Sequence, residues 1–311
     1  MTTALEHGVC AIDTEYGGPL KDASHLIIEN GRAAFVDTGV NSSVPLLLDA
    51  LERYDVDPAD VDFVFLTHVH LDHAGGAGTL MQHLPNAHCV LHPRGAPHMA
   101  DPARLVAGTE VVYGVERTRR MYGTIRAIDE RRIVIAADGQ CFELDGRPLT
   151  ALHTEGHARH HYVLHDPVSK GVFTGDSFGV SYRELDTAAG EIVFPTTTPV
   201  QFDPTEAHKA VERILECEPE WLYLTHYSRV GHPARLAAQM HEGLDAYVAL
   251  ALEYRDAGDR TAALEAGMLD YFEECLQEHG FGGGRDVIAS VLATDIVLNT
   301  QGLEVWLERN R

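Results

Sequence analysis

What this chain lacks narrows its function before any motif is considered. No apolar stretch approaches the roughly 18–20 residues needed to cross a bilayer, so no membrane partner is expected. Residues 1–9 hold no basic run and no apolar core of a leader peptide, and a cytoplasmic location is the expectation. Cysteine is scarce: Cys10, Cys89, Cys141, Cys217 and Cys275 are odd in number and form no C-x-x-C pair. They read as reduced thiols, not a disulfide framework. Basic charge is also short, with 24 Lys and Arg against 47 Asp and Glu and a formal net charge of -23. A nucleic-acid binder needs a basic face toward phosphate, so the expected partner is a small-molecule substrate. The one basic run, Arg117-Thr118-Arg119-Arg120, reads as a solvated helix face.

What is present is a rhythm of short apolar runs. Strands are predicted at residues 9–16, 24–29, 33–36, 61–66 and 87–91, then at 132–136, 140–144, 149–153, 161–164, 171–174 and 221–224. Asp138-Gly139 and Asp145-Gly146 mark hairpin turns. Helices fit residues 43–54, 77–84 and 204–216. From about Pro233 onward the chain is helix-compatible, broken at Ala257-Gly258-Asp259 and Gly280–Gly284 into roughly three helices. The division that follows is a domain over 1–232 and a helical extension over 233–311, read either as a pocket lid or as a homodimer surface.

The chemistry gathers just past the strand ends. His68-Val69-His70-Leu71-Asp72-His73 places three histidines and an aspartate within six residues. Neither strand nor helix packing calls for such a cluster after an apolar strand. Imidazole and carboxylate without thiolate suit a hydrolytic or oxidative metal site better than a structural zinc. Asp37, His157, Asp176 and His226 likewise follow predicted strands, where α/β folds build their sites.

The run Thr67-His68-Val69-His70-Leu71-Asp72-His73-Ala74-Gly75-Gly76 resembles the signature of the metallo-β-lactamase-fold hydrolases. Val36-Asp37-Thr38-Gly39, Gly156-His157, Thr174-Gly175-Asp176 and Thr225-His226 follow in that family's order. The resemblance, strongest toward the glyoxalase II and lactonase branch, implies an α/β fold: an αββα four-layer sandwich, here with a C-terminal helical extension. It implies two divalent cations, zinc first with iron or manganese as alternatives. His68, His70 and His157 resemble the ligands of one metal, and Asp72, His73 and His226 those of the other, with Asp176 bridging. Asp37 is expected to support the ligands by hydrogen bonds. A metal-bridging hydroxide attacking a small carbonyl ester (a thioester or lactone) follows, with Asp72 as the catalytic carboxylate. No serine or cysteine nucleophile is expected. Arg159, His161, Tyr182 and Tyr227 are candidate substrate contacts by their closeness to ligands. The segment Thr196-Thr197-Thr198-Pro199 resembles a stretch in broadly distributed members of the family. The alternatives are a mono-iron sulfur (persulfide) dioxygenase and a non-catalytic regulatory member of the fold.

Overall fold

Alternation of side chains along each strand sorts the apolar residues into layers. A computed structural model describes residues 1–197 and 200–310, so Thr198 and Pro199 of the threonine-rich segment lie outside the described residues. Seven strands lie side by side in chain order: β1 (Thr2–Ala4), β2 (Val9–Asp13), β3 (Ala23–Glu29), β4 (Arg32–Val36), β5 (Val61–Phe65), β6 (His88–Leu91) and β7 (Ile133–Ile135). The first four pair antiparallel, and β4 through β7 run parallel. A second sheet holds β8 (Gln140–Leu144), β9 (Arg147–His153), β10 (Tyr162–Asp166), β11 (Gly171–Gly175), β12 (Trp221–Leu224) and β13 (Ser228–Val230), again with sequential neighbours. There β11 and β12 pair parallel and the other neighbours antiparallel. The β8–β9 hairpin turns on Asp145 and Gly146, both at positive φ, as the Asp-Gly pair requires.

The sheets bury Ile27, Val36, Phe65, Phe142, Tyr162 and Phe173 between them. The opposite residues of the first sheet, among them Leu26, Phe35 and Val64, meet α1 (Val44–Arg53) and the short helices α2 (Leu71–Ala74), α3 (Ala77–Leu80) and α4 (Ala96–Ala100). Beyond these lie α5 (Ala103–Tyr113), which has no buried residue, and α6 (Val115–Tyr122). Val163, Val172, Leu222 and Leu224 of the second sheet meet Val211 and Ile214 of α7 (Pro204–Leu215) and Leu236 and Met240 of α8 (Pro233–Glu253). The result is helix, sheet, sheet, helix.

Among the described residues the extension contains four helices rather than three: α8, α9 (Arg260–Glu278), α10 (Arg285–Val291) and α11 (Ala293–Arg309). The extra break falls at Leu292, where no glycine or proline announces it. Tyr247, Phe272, Leu303 and Leu307 pack with Val180, Leu185 and Phe194 into one apolar cluster. The extension is therefore fastened to the strand-end loops of the domain. No helix among the described residues is long and apolar enough to cross a membrane.

Candidate metal centre

Each polar side chain of the site stands just beyond a strand. β5 delivers Thr67 and His68, and α2 then begins at Leu71, so Asp72 and His73 sit on a single helical turn instead of extended chain. The loop after β9 carries His157, β11 ends at Gly175 before Asp176, and β12 ends before Thr225 and His226. Gly175 is needed at its place: φ is +47°, and a Cβ would stand 2.6 Å from both His161 Nε2 and Thr67 Oγ1.

The structure draws the predicted ligands into two adjoining groups, His68, His70, His157 and Asp176, and Asp72, His73 and His226. In the first, His70 Nδ1 stands 2.9 Å from His68 Nε2 and 3.0 Å from His157 Nε2. Hydrogen bonds on the far sides of the rings set the tautomers. Thr67 Oγ1 lies 3.2 Å from His68 Nδ1, and His157 Nδ1 donates to the Thr196 carbonyl at 3.2 Å. Both Nε2 atoms thus turn a lone pair toward His70 Nδ1, and one proton there serves only one of them. In the second group, His226 Nδ1 donates to the Lys21 carbonyl at 2.9 Å and His73 Nδ1 to Asp37 Oδ2 at 2.8 Å. Their Nε2 atoms face Asp176 Oδ1 at 3.5 and 3.2 Å, while Asp176 Oδ2 lies 3.3 Å from His157 Nε2. His73 Nε2 and Asp176 Oδ1 are buried without a hydrogen-bond partner among the described residues. Converging lone pairs and an orphaned carboxylate oxygen are the pattern that divalent cations satisfy.

The electrostatics agree with that use. Burial, and then the neighbouring imidazoles, hold His68 and His70 well below the ordinary histidine range. Burial also lowers His157 despite Asp176. Burial opposes the charged form of Asp176, yet His73, His157 and His226 overcome it and hold the carboxyl far below its usual range. These groups present lone pairs at neutral pH.

Asp37, left-handed at φ +57°, accepts from Thr67 N, Thr67 Oγ1, Thr225 Oγ1 and His73 Nδ1, and so ties the ends of β4, β5 and β12 to one ligand. The candidate substrate contacts divide. Arg159 is exposed, and its backbone N donates to Gln201 Oε1 at 2.7 Å. His161 is corrected: its ring is wholly buried, Nδ1 lies 3.0 Å from both Thr154 and Ser177 hydroxyls, and Nε2 accepts from Asp176 N at 3.1 Å. No edge of it is left for a substrate, and it holds the backbone under Asp176 instead. Tyr182 is corrected too, being enclosed with its hydroxyl on Asp295 Oδ1 at 3.2 Å and the Lys21 ammonium over its ring. Tyr227 is equally enclosed.

Against the expectation of no serine nucleophile, the sequence does contain the Gly-x-Ser-x-Gly spacing of serine hydrolases, at Gly175-Asp176-Ser177-Phe178-Gly179. The spacing misleads here. Ser177 is buried, and among the described residues no helix begins directly after it and no carboxylate hydrogen-bonds His161. The carbonyls of Lys21 and Thr196 left no trace in the sequence, because any residue type carries one.

Comparison with known proteins agrees with this fold. The family model of the metallo-beta-lactamase superfamily matches residues 17–226. The metallo-beta-lactamase fold-containing protein ST1585 of Sulfurisphaera tokodaii is 28% identical over 202 residues, covering 61% of this chain and 67% of its own. Its crystal structure superposes with a TM-score of 0.65 over 96% of this chain and 98% of that one, at 22% identity. The metallo-beta-lactamase family protein TTHA1429 of Thermus thermophilus gives 0.67 over 99% and 95%, at 19% identity. An atrochrysone carboxyl ACP thioesterase of Aspergillus chevalieri is 27% identical over 164 residues, which are 52% of this chain and 42% of that protein. With a family match spanning more than half its length and the family's ligand motifs gathered into one cluster, this chain belongs to the metallo-beta-lactamase superfamily.

Proposed function

We propose that the protein hydrolyses a small carbonyl ester, a thioester or lactone, with two divalent cations, zinc before iron or manganese. His68, His70 and His157 would hold one, Asp72, His73 and His226 the other, and Asp176 would face both. The observation that carries this reading is the position of Asp176, whose two oxygens address opposite ligand groups. Bound there, divalent ions supply Lewis acidity and bring the pKa of water toward neutrality.

The residues supply the rest. Asp72 is the half-open carboxylate of the cluster, with Oδ2 3.8 Å from His226 Nε2 and its side chain 27% exposed. It is placed to take a proton from water at Oδ2 and return it to a leaving alkoxide or thiolate. Asp37 and His161 keep ligands and the Asp176 backbone fixed while charge changes beside them. The thioesterase activity named for the fungal relative supports the substrate class. That support is local, since the alignment spans about two fifths of the relative's length. The excess of acid over base supports a small molecule rather than a nucleic acid. The intact second group, Asp72, His73 and His226, favours two ions over a mono-iron dioxygenase.

Metal analysis of purified protein with a thioester and lactone panel tests this. Two ions per chain and hydrolysis are expected, and Asp176→Ala should lose metal and reduce turnover by orders of magnitude while remaining folded. One iron with thiol-dependent oxygen uptake, or full activity in Asp176→Ala, would overturn it.

A further inference from the structure

The tautomer of His157 depends on a carbonyl in a loop. Its Nδ1 donates to Thr196 O, and the loop from Pro195 to Thr197 belongs to no helix or strand. Among the described residues, much of what holds that loop comes from α11, beyond the family-matched segment. Asn299 Oδ1 accepts from Thr197 N at 2.7 Å, Thr197 Oγ1 lies 3.1 Å from both Asn299 O and Oδ1, and Asn299 Nδ2 reaches Pro195 O at 3.4 Å. Tyr247 of α8 also donates to Pro195 O, at 3.2 Å. One buried amide thus grips the residues on both sides of Thr196.

Local preferences of α11 point the same way. Asparagine and glycine both disfavour a helix interior, glycine by about 1 kcal/mol relative to alanine. Asn299 is nevertheless 1% exposed, and at Gly302 a Cβ would stand 1.4 Å from Thr197 O. Asp295, one turn before Asn299, accepts from Tyr182. Positions 295, 299 and 302 are spaced i, i+4 and i+7 on one helical face, beside Leu303 of the apolar core, and that face meets Tyr182 and Thr197.

We infer that Asn299 is a positioning residue of the metal centre, acting on His157 through Thr197 and the Thr196 carbonyl, so that α11 is a working part of the site. The inference rests on the metal-binding reading above. Without the amide, Thr196 O drifts, the Nδ1 hydrogen bond weakens, and His157 turns its Nε2 away from the cluster.

The test uses the full chain, stripped of metal and reloaded with Zn²⁺ or Co²⁺ against a competing chelator. Asn299→Ala should weaken one bound ion about 10- to 100-fold, the range for loss of such outer hydrogen bonds, and leave the second unchanged. The Co²⁺ spectrum should change in the weakened half alone. Leu307→Ala removes core packing from the same helix without touching the loop, so it should lower thermal stability and leave both affinities intact. Should Asn299→Ala fail to fold, Thr197→Val removes the hydroxyl that meets Asn299 O and Oδ1 at nearly the same volume, and the same selective weakening is expected. Unchanged affinities in the variant that folds would overturn the inference, as would equal weakening by Leu307→Ala. A wild-type protein that binds one ion would sink the two-cation proposal instead, and the Asn299 effect is then read on the ion held by His68, His70 and His157.

Discussion

Asp37 shows how much of a candidate metal centre is decided by a residue outside its predicted ligand set. Four donors converge on it, and three of them, Thr67 N, Thr67 Oγ1 and Thr225 Oγ1, leave its charge free to orient the imidazole of His73. Burial works against a charged His73, yet Asp176, Asp37 and Asp72 together raise it well above the ordinary range. A cation held at Nε2 would take the place of that proton. Asp37→Asn keeps the shape but points an amide N–H at one or more of these donors. The expected result is a 10- to 100-fold loss of affinity for the ion held by His73, with little change at the His68, His70 and His157 group. Chelator competition reads it, and equal affinities in variant and wild type would refute the role. At this scale the sequence was legible where chemistry needs a particular side chain. The seven predicted ligand positions were legible because imidazole and carboxylate cannot be replaced by backbone, and the fold brings them together. His161 misled because closeness to His157 in the chain puts it behind the cluster, under Asp176, and wholly buried.

Elements matter here chiefly as supports that end at the right place. Strands β4, β5, β11 and β12 all stop at the same edge of the sandwich, and that shared edge makes a centre from residues up to 189 apart in the chain, from Asp37 to His226. The far edge has its own fastening. Arg147, at the start of β9 and wholly buried, forks onto Asp166 at the end of β10 and donates to His7 O at 2.7 Å, linking the second sheet to the turn before β2. Breaking a buried pair by removing one partner costs about 3–5 kcal/mol, whereas replacing both with apolar side chains is often neutral. Asp166→Ala should therefore lower the urea midpoint sharply, and Arg147→Met with Asp166→Leu should recover most of the loss. No recovery in the double variant would show that the Arg147 bond to His7 is the larger contribution. Most strand positions were legible from β-branched and aromatic runs, whereas β1 and β13, three residues each at the sheet edges, were not. The start of β9 at Arg147 was not, because Arg147 and Pro148 look like turn residues until the burial of the ion pair is known. The division of the tail at Leu292 was equally hidden, since it comes from packing of α10 and α11 on α9 and not from a breaker residue.

The whole molecule combines an acidic exterior with an interior rich in neutral histidine, and this makes its stability depend on mild acid. His25 lies between the sheets at 2% exposure, with ring centroids 5.3 Å from Phe173 and 5.8 Å from Tyr223. Burial pushes it down to about 4, although Asp37 pulls the other way. Burial and the neighbouring His153 bring His92 to about 4 as well, and burial beside His157 takes His160 to about 3. The sign follows from proton counting. Above the unfolded value near 6.5, folded and unfolded chains both carry neutral His25, and stability does not respond to it. Between about 6.5 and 4 the unfolded chain takes up a proton that the folded chain refuses, so stability falls as pH falls. From pH 7 to pH 5 the loss from His25 alone is about 2 kcal/mol. His25→Phe keeps an aromatic ring between Phe173 and Tyr223 and removes a buried Nε2 that has no partner among the described residues. Its urea midpoint should therefore decline less than that of the wild type over this interval, with the two converging toward a constant offset above pH 7. His25 lies outside the ligand set, so metal-free protein at several pH values is sufficient for the measurement. Parallel declines in the two proteins would mean that the acid response resides in the metal cluster and the carboxylates, and that the inter-sheet histidine takes no part in it.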